Sequence, residues 1–261
     1  MTRTNTSRTL GWVLIGTAAF AALLSLVWTP YDPLHADPAA RLAGPSWQHW
    51  MGTDALGRDI TSRIMHGARF TLSVACAAVA CSALIGVPLG VLAGMRRRAG
   101  HAVMAGADLL LAFPALLLAI VFTAVFGAST WVVIAAVGIA GIPGFVRVAR
   151  VGTMQIMHQD YILAARISGV PAWRIATRHV LPNIAPIITV QISTALALAI
   201  LAEAGLSFLG LGTPAPYASW GRMLQASQPY LATSPHLALW PGCAIALTVL
   251  GFNLLGDRRT P

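Results

Sequence analysis

The sequence predicts an all-α integral membrane protein with six transmembrane helices, and three observations support this prediction. Of the 261 residues, 57% are hydrophobic and 10% are charged, whereas soluble domains are roughly 25% charged. Apolar runs about long enough to cross a bilayer recur six times along the chain. The 17 basic residues are all arginine, and twelve of them fall in segments that six crossings place on one side of the membrane.

The first apolar run extends from Leu10 to Trp28 and follows Arg3 and Arg8. A secretory signal has a similar basic start, but its apolar stretch is shorter and ends at a small-residue cleavage site. This run ends instead in an aromatic flank, so we predict an uncleaved anchor helix. The polar, proline-rich stretch from Tyr31 to Arg69 then indicates an external loop.

The second half of this loop is the most distinctive string in the chain, HWMGTDALGRDITSRIMHGARFTL from His49 to Leu72. Its glycines, Gly52 and Gly57, permit tight turns. The charged side chains that follow can pair with one another and fix the loop on the membrane face; they are Asp54, Arg58, Asp59 and Arg63. The alternative is that they cap the next helix, which we prefer for Asp59 because an acidic residue just before a helical run is a common cap.

Three further apolar runs follow. The second run, Phe70 to Gly94, ends at the arginine cluster Arg96 to Arg98, which marks the cytoplasmic side. The third run, Leu109 to Phe126, carries Pro114, and a short connection leads to the fourth run, Trp131 to Val146. We expect the third and fourth runs to form an antiparallel pair whose glycines permit close helix packing.

The segment from Arg150 to Asn183 is the longest polar interruption between two apolar runs. Two helix-competent stretches, 158–168 and 171–180, meet at Gly169, and Pro182 closes the second stretch. The sequence therefore predicts a helical hairpin outside the bilayer, on the same side as the arginine cluster.

The fifth run, Ile184 to Leu206, contains Glu203. An ionisable residue in a membrane helix indicates function by default, for example as a proton relay or a substrate ligand. At about 1.5 Å per residue, however, Glu203 lies close to the outer surface, where desolvation is mild. We therefore interpret Glu203 as a structural or outer-gate residue.

The loop after the fifth run, Ser207 to Pro235, is predicted to be external. Its aromatic residues suit an interfacial or protein-binding surface; they are Tyr217, Trp220 and Tyr230. The last run, Leu237 to Gly256, returns the chain to the cytoplasm, which leaves residues 258–261 as a short cytoplasmic tail.

The sequence lacks the motifs that would indicate an enzyme. It has no GxxxxGK[ST] phosphate loop, no HExxH helix and no Ser/His/Asp order on a strand-turn-helix frame. The three cysteines lie in apolar runs without metal-ligand spacing, and no aromatic-basic interleaving indicates nucleic-acid binding. We expect this chain to bind no metal or cofactor of its own.

Several separated strings resemble the dipeptide/oligopeptide/nickel branch of ATP-binding-cassette (ABC) import permeases. The loop string around Thr53 is similar to the GTDxLGRDxxSRxxxGAR pattern of that branch, and the segment from Glu203 to Leu224 is similar to its EAxLSFLGLG and PxxxWG strings. The predicted hairpin resembles the EAA loop, by which these permeases dock on a cytosolic ATPase. The resemblance assigns the docking role to Tyr161, Leu163, Ala164, Ala165, Arg166, Gly169, Trp173, Arg174, Arg178, Leu181 and Pro182. Leu163 stands where the family usually has an acidic residue.

The resemblance implies a type I ABC importer transmembrane domain over residues 70–257, with the coupling hairpin at 150–183, preceded by an anchor helix and external loop over residues 1–69. It also implies partners: a second permease subunit, cytosolic ATPases that hold ATP and Mg²⁺, and an external substrate-binding protein. The expected location is the bacterial inner membrane, with both termini in the cytoplasm. Peptides are the leading substrate class, and nickel chelates or haem are the alternatives within the family.

Two other classes of function compete with the importer. A proton-coupled secondary transporter would use Glu203 and Asp108, and its uptake would follow the proton gradient. A membrane scaffold would transport nothing under any energy source. Six helices are few for a secondary transporter acting alone, and no inverted repeat of the two halves is visible, so we favour the importer.

Overall fold

In a computed structural model, which describes residues 2–212, 214 and 217–256, the chain is a bundle of α-helices. Within those ranges the bundle contains no β-strand apart from an isolated bridge. The helices in chain order are α1 Thr2–Leu24, α2 Ile60–Met95, α3 Arg97–Leu111, α4 Ala115–Phe126, α5 Thr130–Met157, α6 Asp160–Ile167, α7 Ala172–Ile175, α8 Leu181–Phe208, α9 Trp220–Ser227 and α10 His236–Gly256. A π-helical turn, Ala176–Val180, joins α7 to α8. The predicted tail at 258–261 lies outside the described residues.

The predicted membrane crossings are found in these helices. Among the described residues, five helical stretches are long and apolar enough to cross a membrane: Thr6–Leu24, Ile60–Met95, Thr130–Met157, Ala172–Phe208 and His236–Gly256. The pair α3 and α4 makes a sixth crossing if the two helices are counted as one bent span. The all-α membrane fold predicted from the sequence is therefore confirmed.

The third crossing differs from its prediction. We expected one continuous run from Leu109 to Phe126, but the helix breaks between α3 and α4, whose axes differ by 79°. Pro114 explains the break, because proline cannot donate a backbone hydrogen bond and disfavours helical geometry in the residue before it. The helix before the break also starts earlier than predicted, within the arginine cluster, at Arg97.

Two other helices extend beyond their apolar runs. The start of α2 was predicted at Phe70, but the helix begins ten residues earlier, at Ile60. The prediction was wrong because it placed the start of the helix after the last charged residue of the loop. Arg63 nevertheless belongs to the helix, where its charge is paired with Asp54. The fourth run was predicted to end at Val146, but α5 continues through two arginines to Met157.

The bundle has two ends, which we name by what lies there. The loop end carries residues 25–59 and α9, and the hairpin end carries α6 and α7. Helices α2 and α5 both run from the loop end to the hairpin end and pack closely against each other. Small residues make this contact possible: a Cβ atom on Gly90 would lie 2.5 Å from the Val146 carbonyl oxygen, and one on Gly94 would lie 2.6 Å from Thr153 Cβ.

The glycines of α5 are used for close packing, as predicted, but against helices other than α4. Helices α4 and α5 do pack against each other in opposite directions. Gly144 and Gly152, however, face α8, whereas Gly138 and Gly141 face α2: a Cβ atom on Gly138 would lie 3.3 Å from the Ala78 carbonyl oxygen. The hydroxyl of Ser82 crosses the same contact and donates to the Gly138 carbonyl oxygen at 2.6 Å.

Candidate functional site

The hairpin (residues 158–183) turns where the sequence predicts. Gly169 has a φ of +75°, a left-handed conformation that glycine adopts readily. The amide of Gly169 donates to the carbonyl of Arg166, and the amide of Val170 donates to that of Ala165, both at 3.0 Å. This Schellman pattern ends α6 and directs the chain into α7.

One face of the hairpin is fixed to the bundle. Ile162, Ile175 and Val180 are completely or almost completely buried. They form an apolar cluster with Val91 of α2 and Ala149 of α5. Burying an aliphatic side chain contributes about 1.5–3 kcal/mol, so this cluster holds the hairpin in a defined position.

The opposite face of the hairpin is exposed and carries most of the predicted docking residues. Leu163 is 57% exposed and Trp173 is 63% exposed. The exposed set also contains Tyr161, Ala164, Arg166, Gly169, Arg174, Arg178, Leu181 and Pro182, with Ala165 half-buried. None of the three arginines forms an ion pair with an acidic side chain of the described residues. The Arg174 guanidinium lies over the Trp173 ring, 5.2 Å from its centroid. The hairpin therefore presents a surface of aromatic, aliphatic and cationic groups whose positive charges have no acidic partner in the described chain.

Pro182 does not close the second stretch, contrary to the prediction. It lies in the first turn of α8, where the missing proline N–H is tolerated. The π-helical turn before it accommodates the ring, and there the Leu181 amide donates to the Ala176 carbonyl oxygen. The helix consequently continues from the hairpin into the membrane without a loop.

At the loop end, the predicted charged residues form one cluster. The Oδ2 atom of Asp54 lies 2.8 Å from Arg58 Nε and 3.4 Å from Arg63 Nε, so this carboxylate forms ion pairs with both arginines. Arg63 also donates to the Pro33 carbonyl oxygen at 3.2 Å and is almost completely buried. The local pairing predicted for these residues is confirmed. Gly52 and Gly57 make the tight turns around them, with φ values of +83° and +75°.

Asp59 caps α2, as predicted, and has a further partner that the sequence did not reveal. Its Oδ2 accepts from the Ser62 amide and hydroxyl, each at 2.8 Å. Its Oδ1 lies 3.0 Å from His49 Nδ1. Thr53 is also fully buried and donates its hydroxyl to the Ala40 carbonyl oxygen. We call Asp54, Arg58, Asp59, Arg63, His49, Thr53 and Ser62 the loop-end cluster.

Glu203 is far more buried than the sequence indicated. It lies near the loop end of α8, as counted, but only 1% of it is exposed, so the expectation of mild desolvation was wrong. Neighbouring helices cover it, because α9 packs on α8 and α2. The Ser207 hydroxyl donates to Glu203 Oε1 at 2.6 Å, whereas Oε2 has no hydrogen-bond partner among the described residues.

Trp220 was predicted to lie on an external surface, but it is buried, with only 2% of its surface exposed. Its indole N–H donates to the Ile64 carbonyl oxygen at 3.0 Å. A Cβ atom on Gly67 would lie 3.0 Å from the indole, so α2 has a glycine where the ring approaches it. Tyr217 remains 46% exposed, and Tyr230 is half-buried. No signal in the sequence distinguished the buried tryptophan from its exposed neighbours.

Asp108, which a proton-coupled transporter would use, is paired with a cation. Its Oδ1 lies 2.7 Å from Arg147 Nη2, and this ion pair joins α3 to α5. Among the described residues, no three His, Cys, Asp or Glu side chains come close enough together to hold a metal ion.

The structure thus separates the predicted residues into two groups at opposite ends of the bundle, the exposed hairpin face and the buried loop-end cluster. Comparison with known proteins identifies the fold to which they belong. A family model described as binding-protein-dependent transport system inner membrane component matches residues 86–258.

Two relatives extend the match beyond that range. A dipeptide transport system permease protein of Alkalihalophilus pseudofirmus is 39% identical over 95% of this chain and 82% of its own length. A glutathione transport system permease protein of Pectobacterium atrosepticum is 43% identical over 87% of this chain and 76% of its own length. The chain belongs to the family of binding-protein-dependent transport system inner membrane components.

Proposed function

We propose that this chain is a permease subunit of an ATP-driven importer and that its hairpin docks on a cytosolic ATPase. The observation that carries the proposal is the division of the hairpin into a buried face and an exposed face. The buried face, with Ile162, Ile175 and Val180, fixes the hairpin to α2 and α5. The exposed face bears Trp173 and three arginines that lack acidic partners in the described chain. A partner with apolar and acidic groups complements such a surface.

Small peptides are the substrate class that we propose. The relatives support it, because their names specify a dipeptide and glutathione, both of which are small peptides. A nickel chelate or haem, the alternatives within the family, has no comparable support in those names. A binding protein outside the membrane would deliver the peptide, and a second permease subunit would complete the pathway.

The orientation follows from docking. If the hairpin meets a cytosolic ATPase, the hairpin end of the bundle faces the cytoplasm, and so do both ends of the chain. The arginine bias supports the same orientation, since basic residues accumulate on the cytoplasmic side of membrane proteins. The densest cluster, Arg96 to Arg98, lies at the hairpin end of α2.

The connection of the hairpin to the helices suggests how ATP hydrolysis drives transport. The ATPases hold ATP and Mg²⁺, and their closure displaces the docked hairpin. α5 enters the hairpin and α8 leaves it through the π-helical turn. A displacement of the hairpin therefore acts on two membrane-spanning helices at once, which opens the pathway alternately to each side.

Gly169→Trp tests the docking assignment. A Cβ atom on Gly169 would meet nothing within 4 Å, so the indole clashes only with a bound partner. We expect Gly169→Trp to insert normally but to lose most peptide uptake and peptide-stimulated ATP hydrolysis in proteoliposomes that contain the whole transporter.

The matched control is Gly127→Trp at the loop end. Gly127 also has a positive φ, +82°, and open space around its Cβ position. The backbone strain at Gly127 is at least as large as that at Gly169, because its ψ of 157° lies in a region that is almost exclusive to glycine. A loss of uptake confined to Gly169→Trp therefore cannot come from backbone strain, and normal uptake by Gly169→Trp would contradict the docking assignment.

A further inference from the structure

A groove with a volume of about 580 Å³ lies between α2 and the hairpin. Its floor is the face of α2 that carries Pro88, Leu92 and Met95, and its opposite wall contains Trp173 and Leu181. The Leu92 side chain is 40% exposed. No part of the described chain fills this groove.

The groove is apolar along its length and basic at one end. Apart from Thr177, its polar lining residues are Arg96 at the end of α2 and Arg166 at the end of α6. Both arginines are exposed, and neither forms an ion pair in the described chain. No acidic residue is among those that line the groove. Its charge therefore suits a ligand with an apolar body and an anionic head.

The depth of the groove restricts what can fill it. Pro88 and Arg96 are eight residues apart on α2, which at about 1.5 Å per residue is about 12 Å. Pro88 lies within a membrane-spanning helix, so a water-soluble protein can cover the basic end but cannot reach the deep end. Another membrane helix could reach it, but basic residues also accumulate on this side of a homologous permease, so such a helix would leave Arg96 and Arg166 without an anionic partner.

We propose that the groove binds an anionic phospholipid. An acyl chain lies along Pro88, Leu92 and Met95, and the phosphate lies between the guanidinium groups of Arg96 and Arg166. Basic pockets between membrane helices are a recurring way to hold anionic headgroups. Trp173, at the open end, has the amphipathic ring that is enriched at the level of lipid headgroups.

A lipid in this position would touch α2 and the hairpin at the same time. The hairpin would then be held not only by the buried cluster around Ile162 but also by a ligand from the bilayer.

Native mass spectrometry of the tagged chain, purified with the subunits that accompany it, tests the proposal. The complex is stripped of lipid with detergent and then titrated with phosphatidylglycerol or with phosphatidylcholine of the same acyl chains. We expect one phosphatidylglycerol per chain to bind at least about tenfold more tightly than phosphatidylcholine. In Arg96→Gln, which leaves the docking surface of the hairpin intact, phosphatidylglycerol binding should weaken about fivefold, because each basic residue beside an anionic headgroup contributes about that factor in affinity.

Arg97→Gln is the matched control, because it removes the same charge from an adjacent exposed position that does not line the groove. We expect it to retain the bound lipid. Leu92→Trp is a second variant, which fills the groove without changing its charge and should abolish lipid retention.

Three results would overturn the proposal. One is equal binding of the two lipids, and another is equal weakening in Arg96→Gln and Arg97→Gln, which would show general attraction to anionic surfaces. The third is release of another permease subunit by Leu92→Trp while lipid retention stays unchanged, because the groove would then be a subunit interface.

Discussion

The distinctive residues at the two ends of the bundle lie in opposite environments. At the loop end, Asp54, Asp59 and Arg63 are engaged by partners within the chain, and Asp59 and Arg63 are buried. At the hairpin end, Trp173 and Arg166 are exposed and have no acidic or apolar cover from the described chain. Two motifs that look equally functional in the sequence therefore differ in kind: one stabilises its own fold, and the other is available to a partner.

The difference has a physical origin. The chain at the loop end is irregular, and buried backbone and charged groups in irregular segments must find hydrogen-bond partners. The motif supplies these partners from its own side chains. The hairpin is helical, so its backbone is already paired, and the side chains of its outer face are free to bind another protein.

Two tryptophans give the strongest test of this comparison. Trp220→Ala removes a buried ring and its hydrogen bond to Ile64, and we expect a loss of about 3–5 kcal/mol of stability. This corresponds to a melting temperature lower by on the order of 10 °C, measured by thermal unfolding in detergent. Trp173→Ala removes an exposed ring and should leave the melting temperature unchanged while weakening the association with the ATPase. Equal destabilisation by both substitutions would remove the distinction between the two ends.

Two aspartates test whether the stability of the loop end depends on burial or only on capping. Asp59 caps α2 and is 3% exposed, whereas Asp37 caps the exposed 3₁₀ turn Pro38–Ala40. We expect Asp59→Ala to cost about 2 kcal/mol, because a cap is lost and buried partners are left unpaired. Asp37→Ala should cost less than about 0.5 kcal/mol, as is usual for exposed positions. A similar shift of the unfolding midpoint in both variants would show that capping alone matters.

Leu163 sharpens the description of the hairpin face. Because this exposed leucine stands where an acid is usual, we expect docking here to rely on apolar contact and on Arg166, Arg174 and Arg178. Leu163→Asp and Leu163→Asn should then weaken ATPase association equally, by about tenfold, since burying leucine is worth about 1.5 kcal/mol or more. The measurement is binding of the purified ATPase to the permease in nanodiscs. If neither substitution changes assembly or ATP hydrolysis, Leu163 plays no part in docking.

Glu203 should show the smallest effect. In Glu203→Gln, the amide oxygen can still accept from the Ser207 hydroxyl, so we expect a change below about 0.5 kcal/mol in stability and normal peptide uptake. A proton carrier would lose its function in the same variant. Abolished uptake with an unchanged melting temperature would therefore place Glu203 in proton coupling and not in the structure of the loop end.

The sequence predicted which helices form more accurately than it predicted where they begin and end. The apolar runs located the membrane-spanning helices because bilayer thickness fixes their length. The boundaries at Phe70 and Val146 were misplaced because a charged residue was taken to mark the end of a helix. At the first boundary, Arg63 lies within α2 because it has an acidic partner. At the second, α5 continues beyond the membrane into the hairpin. The break at Pro114 was not predicted, since a proline within a membrane helix is often tolerated.

For the candidate sites, the local features were predictable and the distant ones were not. Gly169 and Asp59 act on residues a few positions away, so their roles as turn and cap follow from spacing. His49 pairs with Asp59 across ten residues, and Trp220 reaches Ile64 across 156. The first contact depends on how the irregular loop folds and the second on how the helices assemble, and periodicity encodes neither.

The seam between α2 and α5 has a mechanical consequence. Gly90 and Gly94 lie against the α5 backbone, so no flexible side chains separate the two helices there. α2 and α5 therefore resist sliding past each other and move as one stiff unit, which we call the beam. α2 is 36 residues long, or about 54 Å at 1.5 Å per residue. The beam is anchored at one extremity in the charged loop and at the other in the hairpin. A displacement of the hairpin by a bound partner would therefore move α2 and α5 together, including their ends at the far side of the membrane.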